Sequence, residues 1–397
     1  MSTSTHAAIK VGRMAISDLP LIGPHAIDEG DHLREPVRGG VAYPALAALG
    51  GIEQIRAFLA GRAPAPPVAR LTGRRIVDAS VGSATYALPA TDWMLGPKGV
   101  VHSGVLALLA DGALFAAVVS ALPARVLCTT AELSMTFLGS PATAGGDLTA
   151  HARALYVDET TALAEVHVHD ARDRVVAHGT SRCAVFAPID DSIELLPPGE
   201  PAAADIDPDT PDPHLRRPPA PRSRHLHEAG DGLAPLLAEL RGDLPAPPID
   251  QLTGIRLVGA EQGRIAFAMP AGPWLRNEFG NVYGGALTLL AKSAAAAAVQ
   301  STAGHGTGYT ALDIKINFLR AVPADGRELR ATGSVLHRGK RLAIATADVM
   351  HGDDRVAVLT GTTALTPPAI QRPTSIVATP RSDTSVGTSP TQLPAAA

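Results

Sequence analysis

The sequence predicts an α+β fold built twice, with a curved antiparallel sheet wrapped around one long buried helix in each half. Two observations predict it. The chain of 397 residues contains an internal repeat, and each copy carries one long apolar segment followed by segments that alternate like β-strands. A hydrophobic content of 46% provides material for more than one core. Two domains of the same kind are therefore expected.

The repeat has a constant offset of 181 residues (252 − 71), set by Leu71-Thr72-Gly73 and Leu252-Thr253-Gly254. Both tryptophans obey it, because Trp93 matches Trp274. The other matched pairs are Gly82 with Gly263, Pro89 with Pro270, Gly99 with Gly280, Gly104 with Gly285, and Phe137 with Phe318. These matches predict a first domain over 50–188 and a second over 230–368.

Three further segments are predicted outside the two domains. Residues 1–49 form an N-terminal extension, and residues 189–229 are rich in Pro, Asp and Arg, which is typical of a linker. The tail over 369–397 is rich in Thr, Ser and Pro, and we expect it to be disordered.

The elements of the first copy can be predicted in order. Helical spacing of apolar residues predicts a short helix over 52–59, and alternation predicts a strand over 83–88. A segment apolar almost all round predicts a buried helix over 101–122, ended by Pro123. Alternation or β-branched residues predict strands over 127–138, 146–157, 161–170 and 174–186.

Charge and composition exclude several classes of function. The 34 basic and 38 acidic residues give a net charge of −4, so no basic surplus exists to bind nucleic acid. The apolar segment over 100–122 carries Asp111 near its centre, which would cost roughly 2.5 to 3.5 kcal/mol in a membrane-spanning helix. No signal peptide is evident, and Cys128 and Cys183 lack metal-ligand spacing. We expect a cytoplasmic protein with neither a metal nor a membrane partner.

Asp111 is the first candidate for chemistry. Its neighbours three and four positions away along the predicted helix are all apolar, namely Ala107, Leu108, Leu114 and Phe115. A carboxylate on such a face is desolvated and needs a partner or a purpose. A structural Asp bonded to a neighbouring backbone and a catalytic Asp are equally compatible with this pattern.

The start of the corresponding helix in the second copy is the other candidate. Tyr283-Gly284-Gly285 places two residues without side chains at a helix N-terminus, where unpaired N–H groups can receive an oxyanion. Such a glycine pair can equally serve tight helix packing.

These segments resemble a known family. Those beginning at Trp93 and Trp274 are similar to the hotdog-fold acyl-CoA thioesterases of the phenylacetate-degradation (PaaI) type. That family has an Asn before a Gly-x-x-His-Gly-Gly turn, then an Asp on the helix. The resemblance covers both copies and implies two tandem hotdog domains paired as a pseudo-dimer, with each active site at their interface. It also implies hydrolysis of an acyl-CoA or related thioester without a cofactor.

Carried over by position, the two copies are complementary. The first keeps the carboxylate Asp111 and a hydroxyl, Thr130, as expected catalytic residues. The second keeps the amide Asn277 and the turn Gly284, with Tyr283 and Gly285 as substrate contacts, although Tyr283 replaces the family's His. The remaining positions predict a degenerate second site made of Gly96, His102, Ser103 and Lys292.

A basic turn and three alternatives complete the sequence-based interpretation. Coenzyme A carries phosphates, so the turn could bind it, although a solvated hairpin turn is an equal alternative; its residues are Arg338, Gly339, Lys340 and Arg341. The resemblance implies a homodimer of double-hotdog chains. A non-catalytic acyl-CoA-binding or sensing protein is the main alternative to a thioesterase. A hotdog hydratase is the weaker one, because the sequence has no Asp-x-Asn-x-x-His run.

Overall fold

The computed structural model of the chain describes residues 31–141, 145–197, 210–218 and 231–366. The predicted disorder of the tail over 369–397 lies outside these residues, as do most of the linker and the first thirty residues of the extension.

The first half contains four helices and six strands within the described residues. The bounds are α1 (Asp31–Arg34), α2 (Gly51–Leu59), α3 (Pro67–Thr72), β1 (Arg75–Ser80), β2 (Ser83–Pro89), α4 (Ser103–Ser120), β3 (Cys128–Phe137), β4 (Asp147–Val157), β5 (Thr161–His169) and β6 (Val175–Val185).

The second half repeats this order from α2 onward. The bounds are α5 (Ala234–Leu240), α6 (Pro248–Thr253), β7 (Arg256–Glu261), β8 (Arg264–Pro270), α7 (Gly284–Gln300), β9 (Gly308–Phe318), β10 (Glu328–Arg338), β11 (Leu342–His351) and β12 (Asp354–Thr366). Six elements, α3, β1, β2, α4, β4 and β5, begin 181 residues before their counterparts (for β5 and β11, 342 − 161). The sequence repeat is therefore a repeat of structure.

All twelve strands form one antiparallel sheet in the order β1-β2-β4-β5-β6-β3-β9-β12-β11-β10-β8-β7. The two halves join where β3 pairs with β9, with Glu132 opposite Asn317 and Thr136 opposite Asp313. Each half is thus a six-stranded sheet around its own long helix, the hotdog arrangement, and the two halves pair edge to edge as a pseudo-dimer.

The long helices lie side by side inside this sheet. Helix α4 packs on α7 and on strands of its own half. By length and composition α4 could cross a membrane, but 83% of it is buried within the fold, as its apolar residues on every side predicted. The pairing of α4 with α7 brings the chemistry-bearing positions of the two copies together.

Parts of the extension and the linker pack against the domains. In the linker, the Arg216 guanidinium donates to the Glu35 carboxylate of the extension (2.7 Å for Nη2). The Trp93 indole N–H donates to the Arg216 carbonyl oxygen (2.7 Å). Ala42 N–H donates to the Glu278 carbonyl oxygen (2.8 Å). Residues 31–49 and 210–218 therefore belong to the folded body, because their few apolar and charged groups find partners on it.

The sequence pattern did not predict β1. Its residues are mostly exposed, because β1 is an edge strand paired only with β2, and an exposed edge shows no apolar alternation.

The junction between the halves predicts the effect of a truncation there. Ile316 on β9 is fully buried opposite Leu133 on β3. We expect Ile316→Ala to lower the free energy of unfolding by about 2 to 5 kcal/mol, because it leaves a cavity in the core. Denaturant unfolding measures this loss. The exposed Leu336→Ala is the matched control, and an equal loss in both variants would contradict the assignment of Ile316 to the core.

Candidate active site

A cavity of about 570 Å³ lies between the two halves. The first half contributes Asp111 from α4 and Thr130 from β3, and the second half contributes Asn277, Tyr283 and Gly284. The structure therefore brings five of the predicted residues to one cavity, which we call the first pocket.

Asp111 lies against the N-terminus of α7. The Gly285 N–H is near enough to its carboxylate to lower the pKa of Asp111. A Cβ built on Gly284 would lie 3.0 Å from Asp111 Oδ2, and one on Gly285 would lie 2.8 Å from the Leu108 Cα. Gly285 must lack a side chain because the α4 backbone approaches it so closely, and a side chain at Gly284 would press on the Asp111 carboxylate.

Asn277 is held in a turn by its own side chain. Its Oδ1 accepts the backbone N–H groups of Phe279 and Asn281, each at 3.0 Å. These two bonds identify Oδ1 as the acceptor and leave the Nδ2 amine as the donor. The fixed turn holds Asn277 at the wall of the first pocket.

Thr130 lies where β3 is irregular. The pairing of β3 with β6 shifts between Thr130 and Glu132, and Thr130 is opposite Cys183. The shift leaves Thr130 half-buried at the wall of the first pocket, on the strand that follows α4.

Tyr283 is tied to the first half rather than free in the cavity. Its hydroxyl donates to the Leu108 carbonyl oxygen (2.7 Å), and only 5% of the residue is exposed. The Arg74 guanidinium lies 4.2 Å from the centre of its ring. Tyr283 thus connects the start of α7 to α4, and a contact between Tyr283 and substrate remains a prediction.

Arg74 and Glu278 are charged residues that the sequence reasoning missed. Arg74 is 4% exposed and lies 3.9 Å from the Glu278 carboxylate, which lines the first pocket. A Cβ on Gly112 would lie 2.6 Å from Arg74 Nη1, so the guanidinium reaches α4 beside Asp111. A comparison of the two copies could have identified both residues. At offset 181, Arg74 corresponds to Ile255 and Glu278 corresponds to Pro97, so each charge is present in one copy only.

Burial sets the protonation of Asp111. It raises the pKa of this carboxyl from its ordinary 3.8 to about 6. Arg74 and the Gly285 N–H lower the pKa, whereas Glu278 raises it further. At neutral pH Asp111 is therefore mainly ionised and more basic than a surface Asp, as a general base requires.

An apolar cavity adjoins the first pocket. Its volume is about 610 Å³, and it shares with the first pocket the lining residues Phe115, Leu127, Cys128, Glu278 and Phe279. The rings of Phe115 and Phe279 meet edge to face at 5.9 Å on this shared wall. The first pocket therefore continues into a space suited to an apolar group.

The residues of the predicted degenerate site also meet. Gly96, His102, Ser103 and Lys292 line a separate cavity of about 360 Å³, which we call the second pocket. Here His102 replaces Tyr283 at the helix start, and its Nδ1 accepts the Gly104 N–H (3.2 Å). The second pocket has neither the amide nor the carboxylate of the first at the equivalent positions.

The basic turn does not reach the first pocket. Arg338, Gly339, Lys340 and Arg341 connect β10 to β11, and none of them lines the cavity that contains Asp111. The register explains this, because Leu342 pairs with Ala364 and Ala364 with Thr310, which lines the second pocket. Phe318 of the first pocket is eight residues further along β9, roughly 26 Å away. The structure therefore does not bring these four residues to the first pocket, and their binding of coenzyme A stays a prediction.

Within the described ranges, no group of three or more His, Cys, Asp or Glu side chains is placed to hold a metal ion.

Comparison with known proteins agrees with the fold. The sequence model of the thioesterase superfamily matches residues 98–177 and 279–358, once in each half. Both halves of the chain belong to this superfamily, and the chain is a tandem member of it. No curated protein matches the chain.

Some of the solved structures that are similar to this chain align with a single half of it, and others align with both halves. A conserved protein of Pseudomonas aeruginosa is 37% identical over 30% of this chain and 92% of its own, with a TM-score of 0.28. An acyl-CoA thioesterase II of Mycobacterium marinum is 13% identical over 76% of this chain and 99% of its own (TM-score 0.45). The PaaI protein of the E. coli phenylacetic acid degradation operon is 23% identical over 34% and 96% (TM-score 0.31).

The raised pKa of Asp111 predicts a dependence of stability on pH. The folded chain holds this proton between about pH 4 and pH 6, where the unfolded chain releases it, so wild type loses stability as pH rises through that window. The stability of Asp111→Asn should not fall in this way, because its amide does not titrate. The difference in unfolding free energy between the two proteins should change by on the order of 3 kcal/mol across the window. Urea unfolding at several pH values measures it, and a constant difference would contradict the buried carboxylate.

Proposed function

We propose that the chain hydrolyses an acyl-CoA, or a related acyl thioester, at the first pocket. The observation that carries the proposal is the meeting of Asp111 from one half with Asn277 and Gly284 from the other in a single cavity. One half supplies a base and the other supplies donors for a carbonyl oxygen. Within its own copy of the repeat, each of these residues has the position that the PaaI-type motif gives it, and we assign the chain to that type.

Two donors would polarise the thioester carbonyl. Gly284 is the first residue of α7, and the first N–H groups of a helix have no partner within the helix. The Asn277 Nδ2 amine would be the second donor. Each well-placed donor contributes roughly 3 to 4 kcal/mol to an oxyanion transition state.

Asp111 would act as the general base. It would take a proton from a water molecule, whose oxygen attacks the thioester carbon; the C–S bond then breaks and the thiol leaves. Thr130 would orient the water or the carboxylate. Arg74 would keep Asp111 ionised at neutral pH, because its positive charge opposes the effect of burial. These steps require no cofactor.

The apolar cavity would hold the acyl chain. Val119 lines it two turns of α4 beyond Asp111, and the remaining walls are mainly aliphatic and aromatic. A substrate carbonyl at Asp111 would therefore direct its chain past Phe115 toward Val119. Since the basic turn does not line the first pocket, we assign it no part in this reaction.

The first test compares equivalent positions of the two copies. We expect Asp111→Asn to lower kcat about 10² to 10⁴-fold, because the base is lost. Lys292→Ala should leave hydrolysis unchanged, because Lys292 lines only the second pocket. Release of thiol from a panel of acyl-CoAs measures both.

An equal loss in the two variants would refute the assignment to a single pocket. Binding of acyl-CoA without turnover of any member would favour the alternative, a non-catalytic acyl-CoA sensor.

A second test concerns the acyl chain. Val119→Phe reduces the apolar cavity without touching Asp111 or Asn277. We expect kcat/KM to fall about tenfold or more for long acyl chains and to stay unchanged for acetyl-CoA, since each buried methylene contributes about 0.8 kcal/mol. A chain-length series on wild type and variant measures this, with acetyl-CoA as the internal control. An equal fall in kcat/KM for every acyl-CoA of the series would contradict the placement of the acyl group in the apolar cavity.

A further inference from the structure

The second pocket contains a buried lysine that hydrolysis at the first pocket does not use. Lys292 lies on α7 at the position that Asp111 has on α4, and 7% of it is exposed. Among the residues that the structure describes, its Nζ makes no ion pair. Its hydrogen-bond contact is His102 Nε2, 3.4 Å away.

The hydrogen bonds of His102 determine the protonation state of the Lys292 amine. The Gly104 N–H donates to His102 Nδ1, so Nδ1 carries no proton and the neutral ring carries it on Nε2. An N–H at Nε2 bonds only to an atom with a lone pair. An ammonium nitrogen has none, whereas a neutral amine has one. The arrangement therefore selects a neutral amine at Lys292.

The electrostatics agree with this geometry. Burial and the charge of Lys98 lower the pKa of Lys292 from 10.5 to about 7, against a smaller opposing effect of Asp250. Burial also keeps the pKa of His102 well below its usual value, so its ring is neutral. The titratable side chains that line the pocket with Lys292 are Lys98, His102, Glu239, Asp250 and Tyr309.

The pocket also offers groups that fit a carbonyl oxygen. Ser293, beside Lys292, has a buried Oγ with no hydrogen-bond partner among the described residues. Ser103 is the first residue of α4 and lines the same wall, as Gly284 does in the first pocket. A neutral amine beside two such donors has the parts needed to attack an activated carbonyl.

We propose that Lys292 is an acyl acceptor, and that the second pocket binds a small acyl thioester and transfers its acyl group to Lys292 Nζ. The choice of a thioester rests on the function proposed for the first pocket, of which the second pocket is the pseudo-symmetric counterpart. The cavity of about 360 Å³ favours a shorter acyl group than the first pocket accepts.

The reaction balances without a co-reactant. The Nζ lone pair attacks the thioester carbon, the C–S bond breaks, and the sulfur leaves as thiolate. Nζ loses one proton, which the thiolate takes up. The products are one free thiol and an amide at Lys292, and nothing is oxidised or reduced.

The test uses the full chain carrying Asp111→Asn, so that hydrolysis at the first pocket does not consume the reagent. The probe is S-butyryl-N-acetylcysteamine, a small thioester. Peptide mapping should find a butyryl group on Lys292. The labelling rate should level off above about pH 7, where the amine is already neutral. Lys292→Met in the same background is the matched control and should lose this label.

Exposed Lys340 supplies an internal reference, because a surface amine continues to gain reactivity up to about pH 10. Absence of butyryl on Lys292 when Lys340 is labelled would overturn the proposal. So would a Lys292 labelling rate that rises in parallel with that of Lys340. Lys98→Met should shift the levelling point to higher pH, because it removes the positive charge that, together with burial, lowers the pKa of Lys292. Failure of hydrolysis in wild type would be a separate result, measured without this label.

Discussion

The central interaction of the molecule is the burial of one carboxylate against the start of a helix from the other half. Asp111 lies there only because Gly284 and Gly285 have no side chains and because Gly112 admits the Arg74 guanidinium beside it. Burial disfavours the charge of Asp111, while the helix N–H and the cation oppose that effect. The close approach of α4 to α7, and hence the pairing of the halves, depends on these small residues.

Much of the fold could be predicted from the sequence. The apolar segment located α4 within two residues of its observed ends, and the repeat indicated where α7 lies. The strands that follow α4 were predicted because they alternate, and β1 was missed because an exposed edge strand does not. The contacts of the extension and linker with the domains could not be predicted, because the bonds that join Arg216 to Glu35 and to Trp93 follow no sequence pattern.

Candidate site residues could be predicted from the sequence where residue type identifies them. Their distances from one another could not be predicted where those distances depend on the register of strand pairing. Asp111, Thr130, Asn277 and Gly284 stood out because one copy keeps what the other has lost. Arg74 was missed because it precedes the motif, although the same comparison of copies would have exposed it. The distance of the basic turn from the first pocket could not be predicted, because proximity across a sheet follows from strand pairing, which alternation alone does not reveal.

The continuous pairing of β3 with β9 also has an evolutionary consequence. In a dimer of identical chains, any substitution appears in both active sites at once, so a lysine at the base position would remove both carboxylates. With the two halves on one chain, each copy varies separately, and the partner domain is always present at high effective concentration. One cleft can therefore retain its chemistry while its twin changes, and assembly of the retained cleft does not depend on dilution.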